Sequence, residues 1–137
     1  MYPYPPCSCL AICYSHGAAL FPRTHPDANG FYVLATLLGG YFGSRLMANV
    51  REDKGFTYNI SAAYDSQRFH GALQIDTEVS PEHVDATLSE IRQELLRLCE
   101  EPVPEEELTM VQNYLMGSYL SMVDGLSIGQ KLCVRYW

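Results

Sequence analysis

The stretch Leu37-Leu38-Gly39-Gly40-Tyr41-Phe42-Gly43-Ser44-Arg45-Leu46, resumed as Arg51-Glu52-Asp53-Lys54-Gly55-Phe56-Thr57-Tyr58, decides how the chain folds. An apolar run meets two glycines, each of which costs a helix interior about 1 kcal/mol relative to alanine, so a helix should weaken or bend there. Glycines at such a place also let another backbone approach closely. A second helical stretch, Ser44 to Val50, ends in the charges Arg51 to Lys54, and Gly55 is the natural stop. Beyond it Phe56, Tyr58, Ile60, Ala62 and Tyr64 alternate with Thr57, Asn59, Ser61 and Ala63, the pattern of a half-buried strand. The turn at Gly55 puts a cation, Arg51, and a phenol, Tyr58, on its two sides, where they can converge on one point.

Upstream, Phe31, Leu34, Leu37, Leu38, Tyr41 and Phe42 recur at three- and four-residue steps and form the stripe of a buried helix. Thr24-His25-Pro26-Asp27 is its expected start, with Pro26 near the first helical position and Asp27 in the first turn. Leu10 to Phe21 reads as a strand, and Pro3, Pro5 and Pro6 make the first residues an irregular tail.

Downstream, Asp65 to Arg68 is the expected turn. Phe69, Gly71, Leu73, Ile75 and Thr77 then alternate with His70, Ala72, Gln74, Asp76 and Glu78, which predicts an antiparallel hairpin. Ser80-Pro81-Glu82 opens a helix by capping, ring geometry and charge, with Val84, Leu88, Ile91, Leu95 and Leu98 as its buried stripe. Pro102 and Pro104 separate it from a last helix that begins at Glu105-Glu106-Glu107 and carries Leu108, Val111, Leu115 and Met122. The pattern dissolves beyond Gly125. Strand, helix, hairpin and clustered helices predict an α+β domain, an antiparallel sheet with helices packed on one face.

At 137 residues and 47% hydrophobic content the chain is at most one ordinary domain with a real core. Nine Lys and Arg against sixteen Asp and Glu, a formal charge of -7, argue against nucleic-acid binding, which needs a basic face. The longest nearly apolar run, Phe31 to Phe42, suits a buried helix better than a membrane span. With no basic n-region for a signal sequence, the expected location is cytoplasmic. Five cysteines, odd in number and without zinc spacing, read as reduced thiols.

The four histidines, His16, His25, His70 and His83, have no partner at ligand spacing and form neither H-E-x-x-H nor H-x-x-E-H. No metal site is expected from this chain. His70 should face solvent from mid-strand, and His25 should serve the helix entry. No G-x-S-x-G elbow or phosphate loop is present. Arg51 and Tyr58 remain as candidate site residues. Arginine offers five donors and permanent charge, and tyrosine adds a hydroxyl, so the pair can hold a peptide carbonyl or an oxyanion. From the residues alone the simpler alternative leads: Arg51 pairs with a neighbouring acid and Tyr58 packs in the sheet, since surface arginines usually do no chemistry.

Taken jointly, Thr24-His25-Pro26-Asp27, Leu38 to Leu46 and Arg51 to Tyr58 resemble the insulinase/pitrilysin family of zinc peptidases. They are most similar to the C-terminal, non-zinc domain of its bacterial processing-peptidase-like branch. The resemblance covers roughly Ser15 to Gly125, leaving 1–14 as a tail and 126–137 as a divergent end. It implies the LuxS/MPP-like metallopeptidase fold. It also implies a zinc-bearing partner, a homologous domain or subunit that carries H-x-x-E-H, and a chamber between the two halves for a peptide substrate. Arg51 and Tyr58 match, in type and seven-residue spacing, an arginine and a tyrosine with which the family's non-zinc domain contacts peptide near the scissile bond. The expected function is therefore the substrate-binding, non-zinc half of a zinc endopeptidase, inactive alone, with zinc in the partner. The alternatives are a non-catalytic assembly module of the same fold and a non-functional fragment. A domain of this type should have roughly 180–200 residues, so an incomplete domain is expected.

Overall fold

The computed structural model describes residues 12–124. Expectations for the N-terminal tail, and for Leu126 to Trp137, lie outside the described residues. The chain divides into two compact units, one up to Pro102 and one from Val103 onward.

In the first unit, strand β1 (Ile12–Leu20) is followed by helix α1 (Ala28–Ala35). Two π-wound segments come next, Thr36–Gly40 and Met47–Asp53. Strands β2 (Thr57–Ser66) and β3 (Gly71–Val79) form the predicted hairpin, and helix α2 (Val84–Glu100) closes the unit. The sheet is antiparallel throughout, in the order β1-β3-β2, with Ile12 opposite Val79 and Ser66 opposite Gly71. The second unit is helix α3 (Glu105–Asp124), whose three glutamates sit in its first turn. No helix among the described residues is long and apolar enough to cross a membrane.

One side of the hairpin makes the core. Ile60 and Ala62 of β2 and Ile75 of β3 pack with Leu38, Met47 and Val50 from the π-wound segments, with Leu46 at the entry to the second, and with Ile91 of α2. Leu95 and Leu98 of α2 lie against the same cluster, as the periodic stripe predicts. A smaller cluster joins Ala28, Ala35 and Tyr64 to Leu20, Phe21 and Phe31. The Tyr64 hydroxyl donates to the Phe21 carbonyl at 2.7 Å, tying the end of β1 to β2.

Gly39 explains how the helix sits so close to the sheet. A Cβ there would lie 2.4 Å from the Ala62 nitrogen and 2.6 Å from the Ala62 Cβ, so backbone meets backbone. The helix weakens here as expected: it winds as π over Thr36–Gly40 and ends, with Tyr41 already extended at φ -150°.

Several boundaries differ from the periodic reading. Helix α1 begins at Ala28, not at Pro26, and Asp27 makes no side-chain cap. Instead the Asp27 amide donates to His25 Nδ1 at 3.2 Å, and His25 stacks on Phe21 with ring centroids 4.4 Å apart. The hairpin turn falls at Gln67 to His70, because Asp65 and Ser66 still pair with Ala72 and Gly71. Its closing bond runs from the Gln67 amide to the His70 carbonyl at 2.8 Å. His70 is therefore an exposed turn residue rather than a strand residue, and Phe69 leaves the apolar face for solvent. Ser80 makes no side-chain cap, since a short 3-10 turn, Pro81–His83, precedes α2. On α3, Met122 is exposed, whereas Leu108, Val111 and Leu115 keep to the least exposed side.

Candidate functional site: an arginine over two exposed rings

The second π-wound segment ends at Asp53 and carries Arg51 in its last turn, where a cation complements the carbonyl end of the helix. Gly55 then reverses the chain with φ +66°, the one positive φ among the described residues. The Phe56 amide returns to the Val50 carbonyl at 3.1 Å, and the Lys54 amide to Asn49 at 3.1 Å. This is a glycine helix stop widened by one residue, as π winding requires. It brings β2 back alongside the helix from which it came.

Tyr58 does not follow the predicted alternation. In a regular strand it would share the inner face with Ile60, Ala62 and Tyr64. Pairing passes instead from Thr57 opposite Val79 to Asn59 opposite Glu78, which leaves Tyr58 as the extra residue of a β-bulge. Thr57 turns inward and is buried, while Tyr58 turns out and is 82% exposed. The expectation that Tyr58 belongs to the apolar face is thereby corrected.

Phe42 departs from its predicted place in the same way. The apolar stripe counted it as buried, but the helix stops at Gly40, and Phe42 is 63% exposed. Its ring lies under the Arg51 guanidinium, whose carbon stands 4.8 Å from the ring centroid. The same carbon stands 5.4 Å from the Tyr58 centroid. Each contact of this kind at an exposed site is worth about 0.5–1 kcal/mol. The structure thus brings the two predicted residues together and adds a third. The signal for Phe42 was its position two residues past the glycine pair, beyond the point where helical counting ends.

Arg51 makes these two ring contacts and no ion pair with an acid among the described residues. The acid pairs of this region go elsewhere: Lys54 Nζ reaches Glu90 at 3.7 Å and Arg97 reaches Glu94 at 3.0 Å. The alternative that the residues left open, Arg51 paired with an acid and Tyr58 packed in the sheet, does not describe this geometry.

The π-wound segment is fastened to α2 by a polar cluster that periodicity did not reveal. Asn49 Nδ2 donates to Glu94 Oε1 at 2.8 Å and to Glu90 Oε2 at 3.2 Å. Glu94 is only 3% exposed. Its spacing of seven from Thr87, also buried, places both on the face of α2 that carries Ile91. No group of three or more His, Cys, Asp or Glu side chains stands close enough to hold a metal ion among the described residues. The donor set of the described residues does not fit a zinc site, and no metal step is assigned to them.

A family model described as "Peptidase M16 inactive domain" matches residues 8–115. The chain belongs to that family. Among relatives of this M16 inactive domain, a Bacillus subtilis protein called "Uncharacterized zinc protease YmxG" is 30% identical over 96 residues, covering 70% of this chain and 24% of that protein. A crystal structure of a peptidase M16 inactive domain from Pseudomonas fluorescens superposes with a TM-score of 0.70 at 26% identity, over 79% of this chain and 27% of that one. A protease from Helicobacter pylori shares the fold, with a TM-score of 0.83 at 17% identity, over 93% of this chain and 31% of that one. The M16 domain described here thus spans about a quarter to a third of the length of these relatives. Its α+β architecture is that of the M16 inactive domains.

Proposed function

We propose that this M16 domain is the substrate-contacting half of a zinc endopeptidase and that Arg51 and Tyr58 touch the bound peptide beside the bond that is cut. The observation that supports this most is the surface placement of Arg51 over the rings of Phe42 and Tyr58, unneutralised by any acid among the described residues. A guanidinium held by ring contacts alone keeps its N–H groups for an incoming acceptor. The Tyr58 hydroxyl is a second donor at the same place. Aimed at a peptide carbonyl, two preorganised donors bind it, and they bind the oxyanion that develops from it more strongly.

The catalytic metal belongs to the partner in this proposal. A homologous half bearing H-x-x-E-H would hold the zinc that polarises the carbonyl and activates water. The residues of this chain orient the peptide and limit its motion. Strand β2 is an outer strand of the three, so an extended peptide has a main-chain edge to follow from Tyr58 toward Ser66.

The test is reconstitution. The purified chain is mixed with a separately expressed family protein that carries H-x-x-E-H, and hydrolysis of an internally quenched peptide is followed. The chain alone should be inactive and the mixture active. Arg51→Ala should lower kcat/KM about 100-fold, the usual cost of losing one preorganised donor. Tyr58→Phe should lower it about tenfold, as expected for one hydroxyl hydrogen bond. Activity in the mixture that ignores both substitutions would remove the assigned roles.

A further inference from the structure

We propose that Thr57 and Thr77 are positioning residues whose hydroxyl groups hold the bulge that presents Tyr58 to Arg51. This rests on the contact role given to Tyr58 above and extends it to two residues that touch neither Arg51 nor the proposed substrate.

The bulge has a cost that something must offset. An extra residue in one strand interrupts the ladder, and main-chain groups beside it lose their regular partners. Here two buried hydroxyls stand in for them. Thr57 Oγ1 accepts the Asn59 amide at 3.2 Å and lies within bonding distance of the Glu78 carbonyl on the facing strand. Thr77 Oγ1 lies 3.1 Å from Thr57 Oγ1 and 3.1 Å from the Asn59 carbonyl. Both threonines are buried, so no bulk water competes for these groups. Each hydroxyl has one proton and two lone pairs, which suits a relay in which one donates to a carbonyl and accepts from its neighbour.

The alternative register shows what the clamp prevents. Without the bulge, pairing slips by one residue at this end of β2, and Tyr58 joins Ile60 on the inner face. Thr57 then turns to solvent, and Arg51 keeps only Phe42. The hydroxyls at 57 and 77 favour the bulged state because only that state places both of them inside with carbonyl and amide partners. Valine at either position has nearly the shape of threonine and none of these bonds.

The experiment uses the full chain, isotopically labelled, and four variants: Thr57→Val, Thr57→Ser, Thr77→Val and Thr77→Ser. Two signals are read by NMR, the cross-relaxation between Tyr58 ring protons and the Arg51 side chain, and the ring-current shift of the Arg51 Nε–H. Hydroxyl positioning predicts that both serine variants keep the two signals. It predicts that Thr57→Val loses the cross-peak and moves the Nε–H resonance, with Thr77→Val shifting it in the same direction by a smaller amount. A role in packing alone predicts the reverse, with valine preserving the signals and serine losing them. Signals unchanged in both valine variants overturn the proposal. Should Thr57→Val fail to fold, the Thr77 pair carries the same test, since it spares the Thr57 contacts to β2.

Activity in the reconstituted mixture separates this inference from the one beneath it. Valine at 57 should lower kcat/KM to about the level of Tyr58→Phe, roughly tenfold below the unsubstituted chain. If the Arg51 signals move in Thr57→Val while hydrolysis ignores both Thr57→Val and Tyr58→Ala, the positioning holds and the substrate role of Tyr58 falls. If Tyr58→Ala lowers hydrolysis and Thr57→Val moves neither the signals nor the rate, the positioning falls and the substrate role stands.

Discussion

Substituting Gly39 by alanine should destabilise the domain, and the glycines around it supply the controls. The added Cβ would stand 2.4 Å from the Ala62 nitrogen and 2.6 Å from its Cβ. Neither atom can rotate away, since one is strand backbone and the other is fixed to it. Relief requires the π-wound segment to back off the sheet by roughly 1 Å, and overpacking of this kind costs about 1–3 kcal/mol. Alanine also gains up to about 1 kcal/mol in helix propensity, which offsets part of the loss. A net destabilisation of about 1–2 kcal/mol remains.

The same substitution elsewhere in this helical stretch changes size and sign. At Gly40 the atoms nearest to a Cβ belong to the Thr36 side chain, the first 3.0 Å away, and the net effect should be within about 1 kcal/mol of zero. At Gly30, in α1, a Cβ meets nothing within 4 Å, so alanine should stabilise by about 0.5–1 kcal/mol. Urea unfolding followed by circular dichroism gives all three values, with unchanged slope as the sign that only stability moved. The reasoning is refuted if Gly39→Ala matches Gly30→Ala. That result would mean that the contact with Ala62 is not a constraint on the fold.

Gly55 should fail for a different reason. Its φ of +66° strains any L side chain, although a Cβ there meets nothing within 4 Å. Alanine should cost about 1–2 kcal/mol and asparagine clearly less, and equal melting of the two variants would count against backbone strain as the cause. At Glu94, Gln should be mild, below about 1 kcal/mol, because its amide oxygen can keep the bonds that Oε1 accepts from Asn49 and Arg97, and only Oε2, which has no partner, is replaced. Ala should cost about 2–3 kcal/mol through the cavity and the lost bonds, so a Gln variant as unstable as the Ala variant would show that charge, not hydrogen bonding, sustains the cluster.

Much of this architecture was legible because it is periodic. The stripe Val84, Leu88, Ile91, Leu95 and Leu98 fixed the buried face of α2, and Gly55 fixed the helix stop. The close approach at Gly39 was legible from residue type alone. What escaped lies where a period changes phase. Tyr58 looked inward because alternation cannot show an extra residue, and the threonines that accommodate it look like ordinary strand residues. Phe42 looked buried because counting by threes and fours continued past a helix that had already ended. Glu94 was passed over because a carboxylate on an apolar face is recognised only when its partner, Asn49, is seen across the gap. The convergence of Arg51 and Tyr58 was anticipated from the turn between them, but the route was not, since it depends on the bulge.

The strand order has a consequence for how this domain is made. Among the described residues, strand β1 pairs with β3 alone, and its partners lie far along the chain: Leu20 faces Gly71 and Ile12 faces Val79, separations of 51 and 67 residues. At ribosomal speeds of about 5–20 residues per second, β1 waits roughly 3 to 13 s for its partner to be synthesised. The β2–β3 hairpin, closed across four residues, can form as soon as it emerges. Nascent β1 therefore spends its first seconds with unpaired backbone groups, open to chaperones and to other chains, until the hairpin captures it. For this domain the vulnerable moment is the interval before β3 leaves the ribosome, and synonymous codon changes that slow translation between β1 and β3 lengthen it without altering a single residue.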